Sequence, residues 1–126
     1  SGKYSTRQAK GEHYRAGVKY KPSIQAGYET RARLYVVATD GWHMNEKFPY
    51  KVTLTVPDGV SAAKTTFKKS DAVVFNDSKI VFKIPYEATE GTHTIKAKIN
   101  LAVCKKDQCV PHTETLSWTV EGVGGQ

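Results

Sequence analysis

The sequence is poor in the residues on which several classes of protein depend. It holds 2 cysteines and 4 histidines, and neither a Cys-x-x-Cys nor a His-x-x-x-His spacing occurs. No Ser/His/Asp arrangement, paired-carboxylate motif or phosphate-binding glycine loop is present. No apolar run approaches the roughly 20 residues of a membrane-spanning helix. We therefore expect no metal site of a recognised spacing, no cofactor and no hydrolytic chemistry.

The residues that are present suit one globular domain. The chain has 126 residues, of which 39% are hydrophobic and 25% are charged. A chain of this length can bury enough apolar surface to fold without a disulfide or a metal. The domain is therefore large enough to fold without a disulfide, and its size does not explain the two cysteines.

Positive charge is concentrated near the beginning of the chain. The formal net charge is +7. Six basic residues precede position 22 with Glu12 as the only acid, namely Lys3, Arg7, Lys10, Arg15, Lys19 and Lys21. We interpret residues 1–17 as a flexible basic tail or linker, with binding to an acidic partner or to lipid head groups as the alternative. No nucleic-acid-binding motif occurs, so we expect no nucleic acid partner. Residues 122–126 resemble the end of a linker.

From Tyr28 onward the pattern is that of β-strands. Apolar and polar residues alternate with a period of two, which is typical of half-buried antiparallel strands. The alternating runs are residues 32–38, 51–56, 79–84, 95–103 and 116–120. About seven short strands separated by turn residues predict an all-β, immunoglobulin-like antiparallel β-sandwich over residues 18–121. The Cys…Trp…Cys spacing of antibody domains is absent, so the prediction concerns the architecture alone.

The two cysteines lie where two of these strands meet. Odd-numbered residues up to Val103 are apolar, which places Cys104 on the polar face of its strand. Counting back from Leu116 along the next strand places Cys109 on the polar face as well. Cys104 and Cys109 are therefore predicted to be cross-strand partners within disulfide reach, with residues 105–108 as the loop.

The role of the pair stays open between redox exchange, a structural disulfide and metal binding. In the loop-entropy model a six-residue loop contributes only about 2 kcal/mol, less than a bridge between the two sheets would contribute. Lys105 and Lys106 follow Cys104 directly and would favour a thiolate there. Cys104 and Cys109 are accordingly the candidate catalytic residues, with Lys105 and Lys106 as candidates for tuning the thiols.

Three segments carry a resemblance to a known family. The strand followed by Cys, a short polar loop and Cys-Val-Pro resembles the N-terminal periplasmic domain of the thiol:disulfide interchange protein DsbD family. The segments "DGWHMNEKFPYKVTLTVPDGV", residues 40–60, and "FKKSDAVVFNDSKIVFKIP", residues 67–85, are similar to further parts of that domain. Together the likeness extends over about residues 28–120.

This resemblance implies a function as well as a fold. It implies a periplasmic or otherwise extracytoplasmic thiol:disulfide oxidoreductase domain, without a cofactor, that passes electrons through Cys104 and Cys109. The implied partners are thioredoxin-like proteins, namely an electron donor domain and an oxidised acceptor such as a disulfide isomerase, together with a membrane-embedded redox protein. The family shields its cysteines with an aromatic residue on a loop, and Phe67 is the residue that matches it here.

Two other readings of the sequence compete with electron exchange. The first is a non-catalytic immunoglobulin-like binding domain with a structural hairpin disulfide. The second is a metal chaperone that uses Cys104, Cys109 and a histidine. The redox hypothesis predicts a pair that is easily reduced, the binding-domain hypothesis predicts a resistant disulfide, and the chaperone hypothesis predicts metal bound only by the reduced protein.

Overall fold

The described part of the chain, residues 3–124 of the computed structural model, is built from β-strands. The strands are β1 (Ser5–Gly11), β2 (Tyr14–Tyr20), β3 (Ser23–Gln25), β4 (Thr30–Ala38), β5 (His43–Met44), β6 (Lys51–Thr55), β7 (Val60–Ser61), β8 (Thr66–Lys68), β9 (Val74–Phe75), β10 (Lys79–Ala88), β11 (Gly91–Lys105) and β12 (Gln108–Val123). A single 3₁₀ turn, Lys69–Asp71, interrupts them within residues 3–124. No helix in this part is long and apolar enough to cross a membrane.

The strands form two sheets. Sheet 1 has the order β1-β2-β4-β10-β7, with β9 also paired to β10. Sheet 2 has the order β3-β12-β11-β6-β8, with β5 also paired to β11. Pairing is antiparallel except between β3 and β12. The two sheets pack face to face, and the predicted all-β, immunoglobulin-like antiparallel sandwich is confirmed.

The core lies between the sheets and is made by the apolar members of the alternating strands. Every second residue of β4, β10, β11 and β12 points inward, which follows from the period of two in a pleated strand. Trp118 is 1% exposed, and its indole N–H donates a hydrogen bond to the Tyr86 hydroxyl at 3.3 Å. The buried indole therefore has the polar partner that burial of its N–H requires.

The expected flexible tail at residues 1–17 is not what the structure shows. Strands β1 and β2 occupy most of it, and β2 pairs with β4 in the middle of sheet 1. Four residues of β2 belong to the core, namely Tyr14, Ala16, Val18 and Tyr20. Residues 14–20 alternate with a period of two, with the cations Arg15 and Lys19 between apolar residues. The folded domain thus begins near Ser5 rather than at residue 18.

The expected linker end at residues 122–126 is also wrong in part, because its first two residues belong to a strand. Strand β12 continues to Val123, and its last residues pair in parallel with β3. Gly122 pairs with Ile24 of β3, and a Cβ there would lie 2.1 Å from the backbone oxygen of Thr89 in the turn between β10 and β11, so this turn packs directly against β12. The expected linkers are residues 1–17 and 122–126. Residues 1–2 and 125–126 of these lie outside the described part of the chain.

Candidate functional site

The two cysteines occupy one register position of the β11–β12 hairpin. Cys104 pairs with Cys109 across the hairpin, as the alternation predicted. A disulfide joins them, with the Cα atoms 4.1 Å apart. This separation is close to the roughly 4.5 Å of residues that face each other at a non-hydrogen-bonded position of an antiparallel pair. The register of the hairpin therefore brings the two sulfur atoms within bonding distance.

The loop that closes the hairpin is shorter than predicted. Strand β11 extends to Lys105 and β12 starts at Gln108, so the turn consists of Lys106 and Asp107 alone. Lys106 adopts a φ of 55°, a left-handed conformation that glycine or asparagine accepts more readily than lysine. Both Lys105 and Lys106 are exposed at this tip. Their predicted effect on a thiol remains a prediction, since the cysteines are joined in a disulfide.

The two cysteines differ in their exposure to solvent. Cys104 is only 3% exposed, whereas Cys109 is exposed. The difference arises because Cys104 lies on a strand that is paired on both sides, with Cys109 in β12 and with His43 in β5. Sequence parity places both cysteines on the outer face, but Cys104 has a paired neighbour on each side, whereas Cys109 has one only on the side of Cys104. Only Cys109 is therefore open to another protein.

Cys109 also lies on the free edge of sheet 2. Within the described residues, β12 pairs with β3 only over Glu121–Val123, so the rest of its outer edge has no strand hydrogen-bonded to it. Pro111 fits this position because proline has no N–H to donate and is tolerated on edge strands. The proline after the second cysteine thus has a structural explanation in the sheet edge.

Phe67 does not shield the disulfide. It is 4% exposed, belongs to the core, and packs edge-on against Phe82 with ring centroids 6.3 Å apart. Its backbone partner in β6 is Val52, two strands away from β12. The prediction that Phe67 caps the cysteine pair is wrong. Phe67 faces the interior of the sandwich, whereas Cys104 and Cys109 are on the outer face of sheet 2.

Near the hairpin, three polar side chains lie in the space between the sheets. Tyr14 donates a hydrogen bond from its hydroxyl to Oε1 of Glu114 at 2.7 Å, and its ring lies 4.9 Å from that of His112. Burial, and then the hydrogen bond to the Glu114 carboxylate, raise the pKa of Tyr14 well above its ordinary value. These groups hold β2 against β12. Within residues 3–124, no three or more His, Cys, Asp or Glu side chains come together in a way that could hold a metal ion.

Sequence reasoning missed a second surface, the outer face of sheet 1. Basic residues occupy the positions of its strands that alternate with the buried ones. We call this surface the basic face, and its cations are Lys10, Arg15, Lys19, Arg31, Arg33, Lys79 and Lys83. Strands β1, β2 and β4 contain no acidic residue, and β10 contains only Glu87. The sequence feature that indicates this surface is the alternation of cations with apolar residues in residues 14–20 and 30–38.

Comparison with known proteins identifies the architecture only. No protein-family model matches the chain, and no curated protein sequence matches it significantly. A crystal structure of native α2-macroglobulin from Escherichia coli, from domain MG7 to the C-terminus, aligns with 88% of this chain at TM-score 0.57 and 10% identity. A cryo-EM reconstruction of the native conformation of the same E. coli protein aligns with 90% at TM-score 0.56 and 13% identity. The GAE domain of GGA2p from Saccharomyces cerevisiae aligns with 94% at TM-score 0.53 and 14% identity.

These matches are too distant to indicate more than the fold. The chain spans 16% and 7% of the two macroglobulin chains, and 99% of the GAE domain chain. An immunoglobulin-like sandwich is shared by proteins of many unrelated functions. The three structures are not domains of the DsbD family, and that resemblance remains a prediction.

Proposed function

We propose that the chain is a non-catalytic immunoglobulin-like binding domain whose Cys104–Cys109 disulfide is structural. The observation that supports this most directly is the setting of Cys104. It is 3% exposed and held between two paired strands, so it is tied into the sheet on both sides. A disulfide in this setting fixes the end of a hairpin that is already in register.

The charge of the exposed surface supports the binding role. The molecule presents two broad sheet faces, and one of them, the basic face, carries cations almost without acids. An unbalanced charge distribution of this kind attracts ligands of the opposite sign. The disulfide favours an oxidising, extracytoplasmic compartment as the place where binding occurs.

The reduction potential of the Cys104–Cys109 disulfide tests this function. We would equilibrate the protein in graded dithiol buffers, quench with a thiol-alkylating mass tag and count the tags by mass spectrometry. We expect a potential below about −300 mV, as for structural disulfides. A value between roughly −270 and −120 mV, the range of the thioredoxin and isomerase couples, would contradict the structural role.

Thiol–disulfide exchange is the second candidate, and the exposure of Cys109 favours it. A partner thiolate could attack only the exposed sulfur, forming a mixed disulfide at Cys109 and releasing Cys104 as the thiolate. The partners would be the thioredoxin-like proteins that the DsbD resemblance implies. In the delivering direction, the Cys109 thiolate would attack the partner disulfide and Cys104 would then resolve the intermediate.

Single-cysteine variants distinguish the two candidates. Cys104→Ala leaves the exposed Cys109 free to form a stable mixed disulfide, and Cys109→Ala is the matched control with a buried thiol. If exchange occurs, Cys104→Ala accumulates a mixed disulfide with a thioredoxin-like protein that keeps only its attacking cysteine, supplied as an activated mixed disulfide, and Cys109→Ala does not. Equal, low trapping by both variants is the result expected for a structural disulfide.

A further inference from the structure

Three cations of the basic face form one row across three neighbouring strands. Arg33 in β4 is directly opposite Lys19 in β2 on one side and Lys83 in β10 on the other. Neighbouring strands in a sheet lie about 4.8 Å apart, so the row Lys19–Arg33–Lys83 spans about 10 Å. All three side chains are exposed. The row is thus a compact positive strip that runs perpendicular to the strands.

This arrangement is unfavourable in the free protein. Like charges at directly opposite positions of an antiparallel pair repel and destabilise it. Among the described residues, the ion pairs with lysine or arginine join Arg31 to Glu29 and Lys64 to Asp71, so none of them neutralises the row. A bound anion would relieve the repulsion that the fold itself leaves uncompensated.

The row also borders a concave site. An open depression of about 580 Å³ is lined by the three residues of the row together with Tyr4, Arg31 and Ala32. Tyr4 is 51% exposed, and the Lys19 ammonium lies 5.3 Å from the centroid of its ring. Cavities of this size accommodate small molecules or one or two units of a polymer. The site therefore combines cationic groups with an aromatic wall.

A second aromatic ring lies flat on the same face. A Cβ on Gly17 would come within 2.3 Å of the Tyr35 hydroxyl oxygen, which shows that the ring lies across the glycine in the neighbouring strand. Gln8 donates a hydrogen bond from Nε2 to that hydroxyl at 3.1 Å and holds the ring down. Gly17 directly opposes Tyr35 and is two residues from Lys19, so this ring is next to the row.

We propose that the basic face binds a linear acidic polysaccharide, with the row Lys19, Arg33 and Lys83 engaging its carboxylate or sulfate groups and Tyr4 contacting a sugar ring. Charge complementarity determines the sign of the ligand. The depression and its aromatic wall fit a chain of rings better than the flat surface of a membrane. An oxidising compartment, which the disulfide favours, makes a glycan a better candidate than a nucleic acid. This inference rests on the proposed function as a binding domain.

The experiment compares two triple variants with the same change of charge. Lys19→Gln, Arg33→Gln and Lys83→Gln together neutralise the row. The matched control, Lys51→Gln, Lys96→Gln and Lys98→Gln, removes three exposed lysines from the outer face of sheet 2. Binding is measured by calorimetry at physiological salt, with a heparin oligosaccharide as the sulfated probe and a polygalacturonate oligosaccharide as the carboxylated probe. Single-stranded oligothymidylate and vesicles containing phosphatidylserine are the competing probes.

We expect the wild type to bind at least one of the two glycan probes more tightly than either competing probe. The row variant should bind that glycan at least tenfold more weakly, and the sheet 2 variant should change its affinity less than threefold. The row variant should also melt about 2 to 5 °C higher, because the like-charge repulsion is removed. This rise would establish that the variant is folded and that weaker binding is not a loss of structure.

Several results would overturn the proposal. Equal weakening by the two triple variants would mean that net charge alone attracts the glycan. Tighter binding to vesicles or to oligothymidylate, or no binding to either glycan, would exclude an acidic polysaccharide as the ligand. The reduction potential keeps this test separate from that of the proposed function. A resistant disulfide without glycan binding refutes only the polysaccharide, whereas glycan binding with a readily reduced disulfide refutes only the structural role.

Discussion

Reduction of the Cys104–Cys109 disulfide is predicted to weaken the fold without unfolding it. The bond closes a short loop, since the two cysteines are separated by 5 positions in the sequence. In the chain-entropy model, a loop of about six residues contributes about 2 kcal/mol to the free energy of unfolding. The backbone pairs of the hairpin extend from Lys105–Gln108 to Gly91–Gly122 and do not depend on the bond. The reduced protein should therefore keep its register.

The assay is urea unfolding of the wild type with and without a phosphine reductant, followed by tryptophan fluorescence. Trp118 is buried in the core and reports on global unfolding. The midpoint should fall by the equivalent of about 2 kcal/mol, and the melting temperature by on the order of 8 °C. The double variant Cys104→Ala, Cys109→Ala is the control, because the reductant should not change its stability.

Two outcomes would refute this reasoning. A protein that unfolds completely on reduction would show that the disulfide contributes far more than the entropy of a six-residue loop. A change below about 0.5 kcal/mol would show that the unfolded hairpin already holds the two cysteines together, because residual structure in the unfolded state reduces the effect of a cross-link.

Further predictions concern particular side chains. Tyr50→Phe should lower the free energy of unfolding in urea by about 1 to 2 kcal/mol, because the hydroxyl donates to the backbone oxygen of Ala102 at 3.0 Å in a buried position. Burial raises the pKa of Tyr50 to about 12, so the unfolded state loses its proton first as the pH rises. Stability should fall between about pH 10 and pH 12, by at most about 1.4 kcal/mol per pH unit from this group, and Tyr50→Phe should make the decline less steep. Gly122→Ala should cost about 1 to 3 kcal/mol in the same urea assay, because its Cβ would lie 2.1 Å from the Thr89 backbone oxygen, and an unchanged midpoint would mean that the turn yields freely. Lys106→Asn should raise the melting temperature slightly, by the equivalent of about 0.5 to 1 kcal/mol, because asparagine tolerates a φ of 55°; a lower melting temperature would contradict this.

The sequence was sufficient for the local features that depend on a period of two. Alternation along residues 95–103 and 116–120 placed Cys104 and Cys109 at one register position, because neighbouring residues of a pleated strand point to opposite faces. The same pattern indicated the all-β sandwich, since strands with one apolar face must bury it against a second sheet. Pattern and pleat are properties of the chain itself, and the prediction needed no tertiary information.

The sequence also contained a strand that its charge concealed. Residues 14–20 alternate as clearly as the later strands, with Tyr14 and Val18 among the inward positions. A strand in a sheet with one solvent-facing side can carry a charge at every second residue, so a run of cations is compatible with a strand as well as with a tail. The beginning of the folded domain therefore follows from the periodicity of residues 14–20, and net charge does not indicate it.

Other features were decided only by the tertiary structure. The burial of Cys104 depends on β5, a two-residue strand that pairs with β11 across more than fifty residues of sequence. Phe67 is a core residue because β8 pairs with β6. The three residues of β8 are too few to show an alternating pattern, so the sequence alone could not predict this pairing. The row Lys19–Arg33–Lys83 exists because sheet 1 has the order β2-β4-β10. The order of strands in a sheet is determined by long-range packing, so neither the second neighbouring strand of Cys104 nor the positive row could be predicted from local pattern.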